Sequence, residues 1–288
     1  MIGRAACRGA ATIVNAIASG KGAAFGISLE TDAVVEIAEG AGSIVMRESE
    51  ESPDLPIGCV RAVARKALNK EVNGEIHIRS DIPVSRGLKS SSAVSNAVVL
   101  ATARALGEDL SDMDVLLTGI DESIKAGVTI TGAFDDASAC YLGGVVVTNN
   151  RSFTVLSRGN LDPDLEVLVH VPSRKIAKSS IKNLDFSPIR EKVDHAVELA
   201  LNGEYLKAME INSRAYARVL GLSEEVAEIA RKKGALAAGI SGTGPATVAL
   251  CQPGEAGAVF KAFQDLEGAV IRAHINDSPS KDVIPRLF

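Results

Sequence analysis

The sequence predicts an α+β protein of two domains, and three observations carry that expectation. At 288 residues the chain is long enough for two domains of ordinary size, or one large one. In the first half, a strand-like run delivers a polar, glycine-containing loop that opens a long helical pattern. The last quarter reads as strand, glycine loop, strand, helix and strand, a unit that can close a sheet of its own. The expected division is a domain over 1–160 and a second over 161–288.

Composition bounds what such a protein does. It is 46% hydrophobic and 23% charged, which places it among folded globular chains. Aromatic residues make up 3% and tryptophan is absent, so the core must be built from Ala, Val, Leu and Ile. A net charge of -5 argues against a nucleic-acid partner, which needs a basic footprint. An acidic protein that binds phosphate must concentrate its positive charge locally. No apolar run reaches membrane-spanning length, and the start lacks a charged-then-apolar signal pattern, so a cytoplasmic location without a membrane partner is expected. Cys7, Cys59, Cys140 and Cys251 are dispersed with no C-x-x-C pair, as reduced thiols are. His77, His170, His195 and His274 are equally scattered, so no histidine metal site or triad is visible.

Residues 1–39 are rich in alanine and glycine, with strand-like runs at 23–29 and 33–38. The segment 15–26, N-A-I-A-S-G-K-G-A-A-F-G, invites comparison with a P-loop, but Gly22 follows the lysine where a magnesium-binding Ser or Thr belongs. Two readings remain: tight turns, or a substrate loop in which Asn15, Ser19 and Lys21 supply donors to a hydroxylated or anionic small molecule. An acidic loop at 48–54, a helix over 57–69 and a strand over 75–79 follow.

The next stretch holds the densest chemistry. Pro83, Val84, Ser85, Arg86, Gly87, Leu88 and Lys89 lead into Ser90, Ser91, Ser92 and Ala93. Val94, Val98, Ala101 and Ala105 then recur at helical spacing, and Gly107 stands at the C-terminal cap. A serine loop at a helix N-terminus offers free N–H groups and hydroxyls with the positive helix end behind them, a seat for phosphate. Gly87 permits close backbone approach, and Arg86 and Lys89 add charge. An ordinary serine-capped helix is the competing reading.

Ser111, with Asp114 three residues on, starts a further helix whose apolar stripe is Val115, Leu116, Ile120 and Ile124. In 131–148, T-G-A-F-D-D-A-S-A-C-Y-L-G-G-V-V-V-T, the adjacent acids Asp135 and Asp136 enter a short helix before a valine strand. Neighbouring helical side chains point about 100° apart, so one acid can face a site while the other faces elsewhere. A pair of solvated or capping acids is the alternative.

A strand at 166–171 leads to the most basic run, 172–182, in which Arg174, Lys175 and Lys178 are candidates to meet a bound anion or simply a solvated loop. Helices are expected over 189–201, 205–220 and 224–233, the last capped by Ser223 and ended by Gly234. Residues 235–250 read as strand, glycine loop (Ser241, Gly242, Thr243, Gly244) and strand. This is no dinucleotide fingerprint, because Thr247 replaces the final glycine and a strand follows. A helix over 256–266 and a strand over 270–275 complete a β-α-β arrangement of the ferredoxin type.

Two of these segments resemble known motifs. P-V-S-R-G-L-K-S-S-S-A at 83–93 resembles the P-x-x-x-G-L-G-S-S-A-A motif of the GHMP kinases, the superfamily of galactokinase, homoserine kinase, mevalonate kinase and phosphomevalonate kinase. Lys89 stands where many members have Gly or Ser. The 235–250 segment resembles their third motif, G-x-x-x-T/S-G-x-G-x-x-x-x-x-A-L, in its S-G-x-G-P form. The resemblance implies the two-domain GHMP fold, with a ferredoxin-like C-terminal domain and both ligands in the cleft between domains. It implies transfer of the ATP γ-phosphoryl group to a hydroxyl, with residues 83–93 at the nucleotide and 241–244 as a second glycine loop at the cleft. Asp136, seven residues before Gly143, falls where the family's acidic base lies. Ser91 and Glu122 fall where magnesium is held, Glu122 with a three-residue difference in loop length. Asn15, Ser19, Lys21, Asp135 and Arg174 are left as candidates to meet the acceptor.

Taken together, 15–27, 85–97 and 240–246 are similar to the archaeal-type shikimate kinases. That likeness implies phosphorylation of the 3-hydroxyl of shikimate with ATP and Mg2+, in a monomer or homodimer serving aromatic amino-acid biosynthesis. Homoserine kinase is the alternative within the superfamily. An inactive GHMP protein that binds nucleotide to regulate a partner is the alternative from another class.

Overall fold

The computed structural model describes residues 1–47, 52–129, 132–174, 181 and 183–286. The chain opens with two long strands, β1 (Ile2–Val14) and β2 (Lys21–Glu39), paired antiparallel from Ile2 opposite Glu36 to Val14 opposite Ala23. Patterning divides β2 at its polar middle, yet the strand is continuous over 19 residues. Glu30, Thr31 and Asp32 sit inside it because distant groups satisfy them. The Arg286 backbone N–H donates to Asp32 Oδ1 at 2.9 Å and its Nε to Oδ2 at 2.8 Å. The Thr31 and Ser80 hydroxyls share a 2.7 Å bond.

The other edge of β2 is divided between β4 (Val72–Ser80) and β5 (Val145–Asn149), which take opposite halves of the strand. Two short outer strands, β3 (Ile44–Arg47) on β4 and β6 (Thr154–Gly159) on β5, complete the order β3-β4-β2-β5-β6. Neither outer strand is evident from pattern.

Four helices cover this sheet: α1 (Asp54–Leu68), α2 (Ser90–Leu106), α3 (Asp112–Lys125) and α4 (Phe134–Leu142). The central one, α2, presses so close to β1 that a Cβ at Gly3 would overlap the Ala101 carbonyl. The alanines and glycine of both elements permit that approach, which removes apolar surface from water on both sides. Gly107 ends α2 in the left-handed conformation, with φ 72°. The Ser111 hydroxyl caps α3 by accepting from the Asp114 N–H at 3.1 Å.

The second sheet contains β7 (Glu166–Val171), β8 (Ala237–Ile240), β9 (Thr247–Cys251) and β10 (Ala269–His274), all antiparallel in the order β10-β7-β9-β8. Helices α5 (Arg190–Leu201), α6 (Tyr205–Leu220) and α7 (Glu225–Lys232) join β7 to β8, and α8 (Pro253–Gln264) joins β9 to β10. Outer strands flanking the first and third, with helices in both crossovers, give the ferredoxin-like order. Past β10 the chain fills the gap between β4 and β5 along β2. There the Asn276 N–H donates to the Gly26 carbonyl at 3.0 Å, and the Gly144 N–H to the Asn276 carbonyl at 2.8 Å.

All four cysteines are free and buried. Among the described residues, no helix is long and apolar enough to cross a membrane.

Candidate active site

The strand β4 ends at Ser80, and the loop after it reaches α2 through two left-handed residues, Ser85 and Lys89, besides Gly87. The first helical bond of α2 runs from the Ala93 N–H to the Lys89 carbonyl, so the amides of Ser90, Ser91 and Ser92 precede it. Their N–H groups and hydroxyls stand at the positive helix end, the arrangement that favours phosphate.

The second glycine loop lies directly against this one. Ser241 Oγ donates to the Gly87 carbonyl at 2.7 Å, and the Ala246 N–H donates to the Arg86 carbonyl at 3.2 Å. A Cβ at Gly87 would overlap the Ser241 carbonyl, and the residue holds φ 88°, so glycine is required on both counts. Thr12 at the end of β1 joins the pair: its hydroxyl accepts from the Gly242 N–H at 2.8 Å, and its N–H donates to Ser241 Oγ at 3.1 Å. The turn after β1 is pinned from α6. Tyr216 Oη accepts from the Ala18 N–H and donates to the Asn15 carbonyl, both at 2.9 Å, while Asn212 Oδ1 accepts from the Asn15 N–H.

These loops and the start of α4 enclose a cavity of about 340 Å³. Asn15, Pro83, Val84, Ser85, Gly87, Leu88, Lys89, Ser90, Ser91 and Ser92 line it, together with Asp135, Asp136, Gly242, Thr243 and Gly244. Inside it the two carboxylates differ. Asp136 Oδ1 lies 2.8 Å from Lys89 Nζ, and the lysine side chain is 6% exposed. Lys89 occupies the motif position where glycine or serine is common, and its φ of 67° explains the preference for glycine there. In exchange for that strained backbone, its ammonium is carried inward to a carboxylate.

Asp135 is 4% exposed and lies against Gly22, where an added Cβ would overlap its carboxyl. Asn150 Nδ2 donates to Asp135 Oδ1 at 2.7 Å. The amide of Asn150 is itself oriented by the Thr148 hydroxyl, which donates to its Oδ1 at 2.7 Å. Burial, reinforced by the neighbouring Asp136 and opposed by Lys89, raises the Asp135 carboxyl to about 7.

The structure corrects several expectations. Arg86 does not face the cavity; its guanidinium donates to the Ser173 carbonyl at 2.8 Å and to the Arg174 carbonyl. Ala93 is buried in α2 behind the loop, and Ser241 acts as the bond between the two loops rather than as a lining group. Ser19 is turned inward, donating to the Lys21 carbonyl at 2.8 Å, and Lys21 is exposed at the start of β2. Arg174 is exposed and apart from the cavity lining, whereas Lys175 and Lys178 lie outside the described residues. Glu122 is not brought to Ser91: it packs on α1 beside Gly58 and pairs with Lys125 Nζ at 2.5 Å. On α3 it is Ile120 and Ser123 that face the cavity, a register that a three-residue shift in loop length conceals.

Other residues that shape the cavity leave no local mark in the sequence. Thr12, Asn150, Asn212 and Tyr216 act through partners more than ten residues away in sequence, so local pattern carries no trace of them. Lys89 had a signal, since it departs from the motif, but the signal does not say where its side chain goes.

Comparison with known proteins agrees with this architecture. The model of the GHMP kinases N terminal domain matches residues 54–144, and that of the GHMP kinases C terminal domain matches 198–267. The chain is 40% identical over 283 residues to a shikimate kinase of Methanothrix thermoacetophila, covering 98% of this chain and 96% of that one. It is 42% identical over 251 residues to a shikimate kinase of Thermococcus kodakarensis, covering 86% and 91%. Among solved structures, a homoserine kinase from Cytophaga hutchinsonii superposes with a TM-score of 0.75 at 18% identity, over 96% of each chain. An L. major mevalonate kinase in complex with R-mevalonate gives 0.73 at 18% identity, again over 96% of each. At such identities these two show the fold. The family models and the archaeal relatives show more: the chain belongs to the GHMP kinases, ATP-dependent kinases of small molecules, in the family of the archaeal shikimate kinases.

Proposed function

We propose that this chain transfers the γ-phosphoryl group of ATP to the 3-hydroxyl of shikimate, with Asp136 as the base. The acceptor is read from the shikimate kinases to which the chain is similar, and the observation that supports Asp136 as the base is its ion pair with Lys89 inside a cavity rimmed by both glycine loops. That pairing supports the reading, because a carboxylate beside both loops keeps its charge balanced. The acceptor hydroxyl gives its proton to Asp136 as its oxygen bonds to the γ-phosphorus, and the bond to the β,γ-bridging oxygen breaks to release ADP. The serine loop and the start of α2 hold the phosphates, and Lys89 steadies the base and offsets negative charge gathered there.

Magnesium fits this site as an ion brought in on the nucleotide phosphates. The Ser91 hydroxyl would be its protein contact, since Glu122 faces α1 instead, and the ion would offset charge on the transferring phosphoryl group. The division at residue 160 belongs to the same proposal: β6 ends at Gly159, β7 begins at Glu166, and the cavity draws residues from both sides. So does the assignment of a cytoplasmic monomer or homodimer whose partners are small molecules.

The test is Asp136→Asn, which keeps the shape but cannot take the proton. Its kcat should fall by roughly two to four orders of magnitude, with KM for ATP little changed. Near-normal kcat in this variant would remove Asp136 from the reaction.

A further inference from the structure

We propose that Asp135 is the specificity-determining residue of this site, binding through its carboxyl the hydroxyl next to the one phosphorylated, so that the site is built for a vicinal diol. This rests on the reading of the site as a kinase of shikimate, whose 4-hydroxyl adjoins the 3-hydroxyl.

Three features carry it. Asp135 and Asp136 are consecutive in the first turn of α4, and both line the same cavity, so two neighbouring oxygens of one ligand can meet two carboxyl groups. The Asp135 carboxyl is held rather than free: Asn150 Nδ2 donates to Oδ1, Thr148 fixes the Asn150 amide, and Oδ2 lies over Gly22, where only glycine leaves room. The two acids also stand in different electrostatic surroundings. The ion pair with Lys89 belongs to Asp136, whereas Asp135 is buried with an amide donor on one oxygen.

Groups that act electrostatically with Asp135 are Asp136 and Cys140 on its own helix, Lys89 from the serine loop and Tyr216 from α6. Their sum with burial raises the Asp135 carboxyl, so it keeps its proton toward neutral pH and donates to a ligand oxygen. A divided pair of this kind, one acid in an ion pair and the other buried beside an amide donor, separates proton acceptance from recognition. Homoserine and mevalonate have no hydroxyl on the carbon next to their phosphorylated one and leave such a donor unmatched.

The experiment compares shikimate with 4-deoxyshikimate in the wild type, Asp135→Ala and Asp135→Asn. A site built around a hydroxyl rejects the analogue that lacks it, so wild-type kcat/KM should drop by about 10²-fold or more with the deoxy compound. In Asp135→Ala the two acceptors should differ by less than about threefold, through loss on shikimate rather than gain on the analogue. Asp135→Asn keeps a donor and, if the alanine variant does not fold, carries the test alone. Its preference for shikimate should persist, while the rise of wild-type acceptor KM with pH through neutrality should disappear. Undiminished discrimination in Asp135→Ala, or an unchanged pH profile in Asp135→Asn, would overturn this inference alone. A wild type that transfers no phosphoryl group to shikimate would instead overturn the proposed function, and this inference with it.

Discussion

Asp135 and Asp136 are adjacent, yet the fold treats them differently, and the difference has a measurable consequence for stability. The Asp135 carboxyl is raised in the folded state, by burial first and by Asp136 second, from 3.8 to about 7. A raised carboxyl means that the native state holds the proton more tightly than the unfolded state does. Its contribution is therefore fully present below about pH 4 and is lost as pH rises toward 7. Asp135→Asn removes that dependence. Relative to the wild type, the variant should gain unfolding free energy from pH 4 to pH 7, by up to a few kcal/mol, and level off above. Urea titrations at pH 4.5, 6 and 8 measure this, and a difference that stays constant with pH would refute it. At this scale the sequence was half legible. The acids, the serines and the glycines announce themselves by type and spacing. The side-chain directions do not, because Lys89 turns inward and Arg86 outward only as the loop's left-handed residues dictate.

Among the elements, packing of α2 on β1 illustrates why small residues pervade the first half. Ala101 and Ala105 approach Gly3 so closely that even one methyl group has no room. Gly3→Ala should lower the unfolding free energy by about 2 kcal/mol, since neither the helix nor the strand can retreat without disturbing the sheet. Equilibrium denaturation checks it, and a stability equal to the wild type would show that the interface yields. The helices were readable because their periodicity and caps are local: Ser111 and Gly107 do in the structure what their types suggest. The break expected in β2 was not real. Glu30, Thr31 and Asp32 look like a polar interruption until Arg286 arrives from the far end of the chain. The strands β3 and β6 escaped notice because they are short outer strands whose partial burial imposes a weak alternation.

For the whole molecule, the two sheets are joined at the rim of the cavity and by the chain that follows β10. Thr12, Ser241 and Gly87 bind the glycine loops to one another, and Asn276 ties the chain after β10 to Gly26 and Gly144. Arg286 gathers Glu30, Asp32 and Asp81, the last at the entrance to the serine loop. Losing such a cation would leave Asp32, which is 0% exposed, as a buried charge without its partner. The first half supplies most of the cavity lining and the second adds Ile181, Gly242, Thr243 and Gly244, so the cavity depends on their joint placement. In the proposed function this placement serves phosphoryl transfer to shikimate. The direct measurement is acceptor-dependent formation of ADP and phosphoester from Mg·ATP across shikimate, homoserine, mevalonate and galactose. Turnover should be rapid with shikimate, yielding the 3-phosphate, and only background ATP hydrolysis should occur with the other three. Faster turnover of homoserine, or ATP binding with no transfer to any of the four, would contradict it.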